Sequence, residues 1–167
     1  MTMSFEDLAM PLFPSLYGYA RWLTGEPHEA EDLVQETYLK ALRGFGSFRE
    51  GTNFRAWMFR ILRNTFLTSR SGLKAMTSID EEPELADEIV DAGGTPETHF
   101  IHRANAEALQ RAIGELPVIF REVLLLSDVE NMSYKEIGEA LAIPVGTVTS
   151  RLMRARRRVR AALGGAR

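Results

Sequence analysis

The sequence predicts an all-α chain of two small helical modules joined by an acidic flexible linker, and three observations carry that prediction. From about Ser4 to Ser69, apolar residues recur at intervals of three and four with no strand-like alternation, and Gly25, Gly44, Gly46 and Gly51 punctuate them. Between residues 70 and 95 the periodicity collapses, and Asp80, Glu81, Glu82, Glu84, Asp87, Glu88 and Asp91 give the composition of a mobile tether. From residue 96 the helical pattern resumes and ends in a stretch, Pro144 to Arg167, with seven arginines and no acid. The expected domains are therefore 1–69, 96–167 and the linker 70–95 between them.

In the first module, Pro27 occupies a position where a first-turn proline is tolerated. From there Ala30, Leu33, Val34, Thr37, Tyr38 and Ala41 form one inward stripe that should end near Arg43 and Gly44. The same helix turns Asp32, Gln35, Glu36 and Leu39 outward, an acidic face with one leucine that suits a partner bearing basic residues. A polar loop follows, Phe48-Arg49-Glu50-Gly51-Thr52-Asn53, and then a helix that interleaves aromatic and basic residues. Phe54, Trp57, Met58, Ile61 and Leu62 lie at core spacing, leaving Arg55, Phe59, Arg60, Arg63 and Asn64 as the expected exposed set. Arginines that hold phosphates, aromatic faces that stack on bases and a small polar loop that receives an extruded base would suit single-stranded DNA.

The second module should open at Thr95-Pro96-Glu97, a cap and first turn, with Ile101, Ala104, Ala108, Ala112 and Ile113 inward. Pro117 separates that helix from Val118 to Ser127. Ser133 and Glu136 have the Ser-x-x-Glu spacing of a capping box, in which two unpaired backbone donors at a helix start are satisfied reciprocally. Ile137 and Leu141 give this helix a buried face, Gly138 and Ala140 are small enough for close helix approach, and Ala142 to Gly146 make a turn. Val148, Leu152, Ala155 and Val159 then form the inner stripe of a second helix, whose outward side carries Thr149, Ser150, Met153, Arg154 and Arg157. This is the pattern of a helix-turn-helix whose second helix meets a polyanion. Arg154 could contact guanine in bidentate fashion, worth about 1–3 kcal/mol of discrimination. Arg151, Arg156, Arg158 and Arg160 suit phosphate anchoring.

The net charge of −3 hides that basic face. Screening limits phosphate attraction to about 8 Å at physiological salt, so distribution outranks the sum. The 167 residues, 45% of them hydrophobic, are enough for packed cores, and the lack of cysteine excludes disulfides, thiolate metal ligands and a thiol switch within the chain. The N-terminus has no basic region before an apolar core, and no apolar run approaches the roughly 20 residues of a membrane span. The expectation is a soluble, cytoplasmic protein without membrane insertion.

Three strings then fall in order: Ala30-Glu31-Asp32-Leu33-Val34-Gln35-Glu36-Thr37-Tyr38, Gly51-Thr52-Asn53-Phe54-Arg55-Ala56-Trp57, and Val145-Gly146-Thr147-Val148-Thr149-Ser150-Arg151-Leu152. With them the chain resembles a bacterial extracytoplasmic-function sigma factor of the sigma-70 family over nearly its whole length, with region 2 first and region 4 from Pro96. The resemblance implies that Asp32, Gln35, Glu36 and Leu39 dock on the β′ clamp helices of core RNA polymerase, whose β subunit is a further partner. It assigns Phe48, Arg49, Glu50, Gly51, Thr52, Asn53 and Asn64 to the nontemplate strand of the −10 element, with Arg55, Phe59, Arg60 and Arg63 beside them. It places Thr149, Ser150, Met153 and Arg154 where the family reads the −35 element, and Thr147, Arg151, Arg157 and Arg158 complete the expected −35 set. It further implies promoter DNA and an anti-sigma factor as partners, a stress response of the oxidative type, no cofactor and no bond chemistry.

Two rival readings are weaker. A response regulator with a related C-terminal module would need a ligand pocket or an acidic phosphorylation site in its first half, and neither signature is there. An enzyme would rest on His99 and His102, three apart on an expected helix, but no third ligand stands at metal spacing, so no metal site is expected.

Overall fold

The computed structural model describes residues 3–70, 72–74 and 106–164, and the described residues form helices and turns with no strand. Of the expected linker, residue 70 and residues 72–74 are described, and they are helical; residue 71 and residues 75–95, the helix start at Thr95-Pro96-Glu97 with Ile101 and Ala104, the pair His99 and His102, and Arg167 lie outside the described residues.

The first module opens with α1 (Phe5–Ala9), capped by Ser4: its hydroxyl accepts from the Asp7 amide and the Asp7 carboxylate accepts from the Ser4 amide. A 3-10 turn (Met10–Leu12) leads into α2 (Phe13–Thr24), which stops at Gly25, whose φ of 74° is the left-handed conformation glycine tolerates best. Then comes α3 (Pro27–Gly44), with Pro27 in the first turn and the Glu26 carboxylate accepting from the amides of His28 and Glu29. Its stripe is buried as the sequence spacing requires: Ala30, Leu33, Val34, Thr37 and Ala41 face the core. Tyr38 is half-buried, and its hydroxyl donates to the Ala9 carbonyl at 2.7 Å, tying α3 to the end of α1.

A 3-10 turn (Phe45–Ser47) and the polar loop lead into α4 (Phe54–Thr68), which packs on α2 and α3. Met58 and Leu62 are fully buried, whereas Phe54, Trp57 and Ile61 are half-buried against the core. Phe5, Phe45, Phe48, Phe54 and Trp57 form a ring cluster with neighbouring centroids 5.2–6.3 Å apart.

The second module contains α5 (Ala106–Gly114), α6 (Val118–Leu124), α7 (Tyr134–Leu141) and α8 (Val145–Gly164). Pro117 does separate α5 from α6, but α6 does not stop at Ser127: it widens into a π-helical turn over Leu125–Val129, closed by the Glu130 amide donating to the Leu125 carbonyl. Ala142, in the left-handed conformation, ends α7. The turn is shorter than the spacing indicated, because Gly146 already belongs to α8. Gly138 is small for a specific reason, since a Cβ there would stand 2.9 Å from the Ile143 carbonyl oxygen.

The two modules do not stand apart. The buried apolar residues of both belong to one cluster. At the seam, Arg121 of α6 donates to the Trp22 carbonyl at the end of α2 and to the carbonyls of Gly114 and Leu116 behind α5, so one guanidinium satisfies acceptors from both modules.

Candidate nucleic-acid interfaces

The helix-turn-helix takes the geometry its residues specify. The Ser133 hydroxyl accepts from the Glu136 amide at 3.1 Å and the Glu136 carboxylate accepts from the Ser133 amide at 3.2 Å, which completes the capping box. Val148, Leu152, Ala155 and Val159 are buried, so α8 presents a fixed outer face. On that face Ser150 and Arg157 are exposed, and Thr147, Thr149, Arg151, Met153, Arg154 and Arg158 are half-exposed. The Thr149 hydroxyl donates to the Val145 carbonyl and the Ser150 hydroxyl to the Thr147 carbonyl, which occupies their protons and leaves their oxygens as acceptors.

Two of the arginines expected to anchor phosphates have structural work as well. Arg156 donates to the Asp128 carboxylate at 2.8 Å, binding α8 to the π-helical turn. Burial alone would lower the basicity of its guanidinium, but Asp128 and Tyr134 more than offset this and hold it above the usual range. Arg158 lies 4.9 Å over the Phe120 ring, a cation–π contact that fixes the side chain across α6.

On α3, Asp32, Gln35, Glu36 and Leu39 are all exposed, with the Glu36 carboxylate 3.4 Å from Lys40. Leu42, one turn beyond Leu39 and 53% exposed, extends the apolar strip of this face. Sequence reasoning passed over it, although its three-residue spacing from Leu39 was the available signal.

The loop before α4 is organised by its own polar groups. The Thr52 hydroxyl donates to the Arg49 carbonyl at 2.6 Å, and Gly51 adopts a φ of 88°, the left-handed region that a side chain would strain. Arg49, Glu50, Gly51 and Thr52 are exposed, whereas Phe48 is half-buried, its ring 5.2 Å from that of Trp57. Asn53 caps α4: its carbonyl oxygen accepts from the Ala56 amide at 2.9 Å, while its amide nitrogen donates to Glu136 Oε2 at 2.8 Å.

The expectation that Arg55, Phe59, Arg60, Arg63 and Asn64 share an open face needs correction. Arg60 and Asn64 are exposed. Phe59 is not: it is 1% exposed and packs edge-to-face on Tyr19, because α4 is buried on two sides instead of one. Arg55 donates to Glu136 Oε2 at 2.9 Å and to the Glu130 carbonyl at 3.3 Å. Arg63 donates through Nε to Glu122 Oε2 at 2.8 Å and through Nη2 to Oε1 at 3.3 Å, a forked pair across the modules.

The electrostatics of these two contacts differ. Glu122 is wholly buried, so desolvation raises its carboxyl above the usual range, and Arg63 and then Arg151 only partly reverse this. Arg63 keeps 18% exposure; burial would lower its basicity, but Glu122 more than offsets that and raises it. Both shifts are upward, which favours the charged guanidinium but disfavours the charged carboxylate, because the desolvation of Glu122 outweighs what Arg63 returns to it. Glu136 is lowered instead: burial pushes it up, but hydrogen bonds from Asn53, Arg55 and the Ser133 amide together outweigh that. Beside Glu122, the Tyr19 hydroxyl is buried and makes no hydrogen bond among the described residues, and desolvation raises it well above the ordinary phenol.

Among the described residues no group of three or more metal-ligating side chains converges, and no helix is long and apolar enough to cross a membrane. The family profile for Sigma-70 region 2 matches residues 8–75, and that for Sigma-70 region 4 matches residues 106–159. The chain is 34% identical over 164 residues to the ECF RNA polymerase sigma factor EcfG of Rhodopseudomonas palustris, covering 98% of this chain and 87% of that protein. It is 35% identical over 159 residues to the ECF RNA polymerase sigma factor SigE of Mycolicibacterium smegmatis, of which the match spans 60%. The fold is similar, at a TM-score of 0.69 and 29% identity, to the sigma factor RpoE of Bartonella quintana, solved in complex with the anti-sigma factor NepR, over 97% of this chain and 99% of that one. With both regions matched in order on one helical chain, the protein belongs to the extracytoplasmic-function sigma factors of the sigma-70 family.

Proposed function

We propose that the protein directs core RNA polymerase to specific promoters by carrying two DNA readers, and that it catalyses no bond chemistry of its own. The observation that carries this reading is the pairing on one chain of a region 2 match with a region 4 match. In it, Asp32, Gln35, Glu36 and Leu39, joined by Leu42, dock on the β′ clamp helices. The loop from Phe48 to Asn53, with Arg55, Arg60, Arg63 and Asn64, takes the nontemplate strand of the −10 element. Thr147, Thr149, Ser150, Arg151, Met153, Arg154, Arg157 and Arg158 face the −35 element.

The domain division at 1–69, 70–95 and 96–167 belongs to this proposal. So do contact with the β subunit, residence in the cytoplasm and control by an anti-sigma factor in a stress response. The last is supported by the similar RpoE, whose solved complex contains NepR. Tethering both readers to polymerase raises their effective concentration, so matched elements at one spacing are favoured beyond either contact alone.

The test is transcription in vitro with purified core polymerase and fragments of the source genome, with start sites mapped by sequencing. Added protein should create start sites that share two upstream elements at constant spacing. A start-site map identical to that of core alone would end the proposal.

A further inference from the structure

Where the end of α2 meets the second module, the structure encloses a cavity of about 180 Å³. Its walls are apolar: Trp22 of α2, Leu109 and Ile113 of α5, Leu124 of α6, Leu125 of the π-helical turn and Val159 of α8. Ile113, Leu124, Leu125 and Val159 are buried, so the core sets their places, while Trp22 and Leu109 are half-buried at its edge. The π-helical turn lends the wall Leu125, Asp128 and Val129. Wide turns of this kind are rare and fall often at functional sites.

Two polar clamps hold the cavity in shape. Arg121 donates to the Trp22 carbonyl at 3.1 Å and fixes the end of α2, and Arg156 donates to Asp128 at 2.8 Å and fixes α8 to the π-helical turn. A site set beforehand asks little ordering of the protein when a ligand enters.

Size and charge define what fits. An apolar cavity of about 150 Å³ is enough to hold a benzene ring, so this one takes a single ring with a short substituent, and the Trp22 indole gives that ring an aromatic wall. Among the described lining residues two guanidiniums, Arg156 and Arg160, stand against one carboxylate, Asp128, which Arg156 already neutralises. The surplus charge is positive, and Arg160 is exposed to solvent. We propose that the cavity is a binding site for a small aromatic acid, its ring between Trp22, Ile113, Leu125 and Val159 and its carboxylate at Arg160.

A ligand there touches α2 of region 2 and α5, α6 and α8 of region 4 at once. None of the residues assigned to polymerase, the −10 strand or the −35 duplex is among the described lining residues. The site is thus distinct from the nucleic-acid faces.

The test uses the full chain. Trp22 and Trp57 are its two tryptophans, so Trp57→Phe leaves the cavity wall as the sole source of tryptophan emission. Titration with sodium benzoate should change that emission saturably, and benzoate should bind at least about tenfold more tightly than benzyl alcohol, the difference one charge-assisted contact makes. Arg160→Gln should bring benzoate down to the affinity of benzyl alcohol and leave benzyl alcohol unchanged. Leu109→Phe, which puts a ring of its own into the space, should abolish both responses. On the unsubstituted chain, benzoate should raise the melting temperature where sodium acetate at the same concentration does not.

No response of Trp22 emission or of the melting temperature up to about 10 mM benzoate, enough to fill a site of millimolar Kd, overturns the proposal. So does a response that acetate reproduces. Equal affinity for benzoate and benzyl alcohol, or tighter binding of benzylamine, overturns the acid, and tighter binding of hexanoate overturns the ring. Benzoate affinity untouched by Arg160→Gln overturns the placement of the carboxylate. These readings involve neither DNA nor polymerase, so the sigma-factor proposal stands or falls apart from them.

Discussion

Arg63 and Glu122, 59 positions apart in sequence, meet with Nε 2.8 Å from Oε2, the carboxylate fully buried and the guanidinium partly open to water. A buried ion pair of this kind is a poor source of net stability but an expensive thing to break from one side. Arg63→Ala should therefore destabilise the packed chain by about 3–5 kcal/mol, because Glu122 is left buried without its partner and must either stay charged there or take up a proton. Arg63→Met with Glu122→Leu should recover most of that loss. Denaturant midpoints for Arg63→Ala and for the double variant check it, and a double variant no better than Arg63→Ala would contradict it.

Glu136 gives the pH dependence. Its folded pKa lies below the unfolded value, so its contribution is complete above the unfolded glutamate value of about 4.3 and is lost as pH falls through the depressed folded value. Arg55→Met removes one of the hydrogen bonds that outweigh burial. The Glu136 titration midpoint, followed by carboxyl-carbon NMR, should then move upward, and the acid-side loss of stability should begin at higher pH than in wild type. No movement would mean that the Arg55 contact does not persist in solution.

Gly138 tests the helix-turn-helix packing. A methyl group there meets the backbone carbonyl of Ile143 at 2.9 Å, and a backbone atom cannot swing aside as a side-chain tip would. Gly138→Ala should cost about 1–3 kcal/mol by overpacking, outweighing the helix propensity it gains. Thermal unfolding by circular dichroism reads this directly. A rise in the melting temperature would show that α7 and the turn can shift apart.

Arg154 and Arg158 separate readout from packing. Arg154→Ala should weaken binding to the cognate −35 duplex by about 1–3 kcal/mol and leave scrambled duplex almost unaffected. Arg158→Ala should weaken both, and should also lower stability by about 0.5–1 kcal/mol because its place over Phe120 is lost. Paired duplex titrations and melts distinguish them. Indistinguishable losses on cognate and scrambled DNA would remove the assignment of Arg154.

On α3, Asp32→Lys with Glu36→Lys reverses an exposed face without touching the core. Co-purification with core polymerase should be abolished while the far-ultraviolet dichroism stays that of wild type. Retention of the double variant on immobilised core would show that polymerase binds elsewhere.

What the sequence determined by itself was everything set within a turn or two of helix. The stripes of α3 and α8 follow from side-chain period, the capping box of α7 from the Ser133 and Glu136 spacing, and the break before α6 from Pro117, because each is decided by neighbours in the chain. The tertiary structure decided which charged groups end up inside. Phe59 and Arg63 lie on a face that periodicity reads as open, and no sequence signal singled out Arg121 or Glu122. Packing of region 4 on region 2 buries Glu122, gives Arg63 and Arg55 their acceptors, and sinks Arg121 against the end of α2. Helical period records that a face is buried when one stripe points to one core. It carries no signal for a second burial made by a partner module tens of residues away, where the free energy comes from desolvation and charge complementarity between surfaces that never adjoin in sequence.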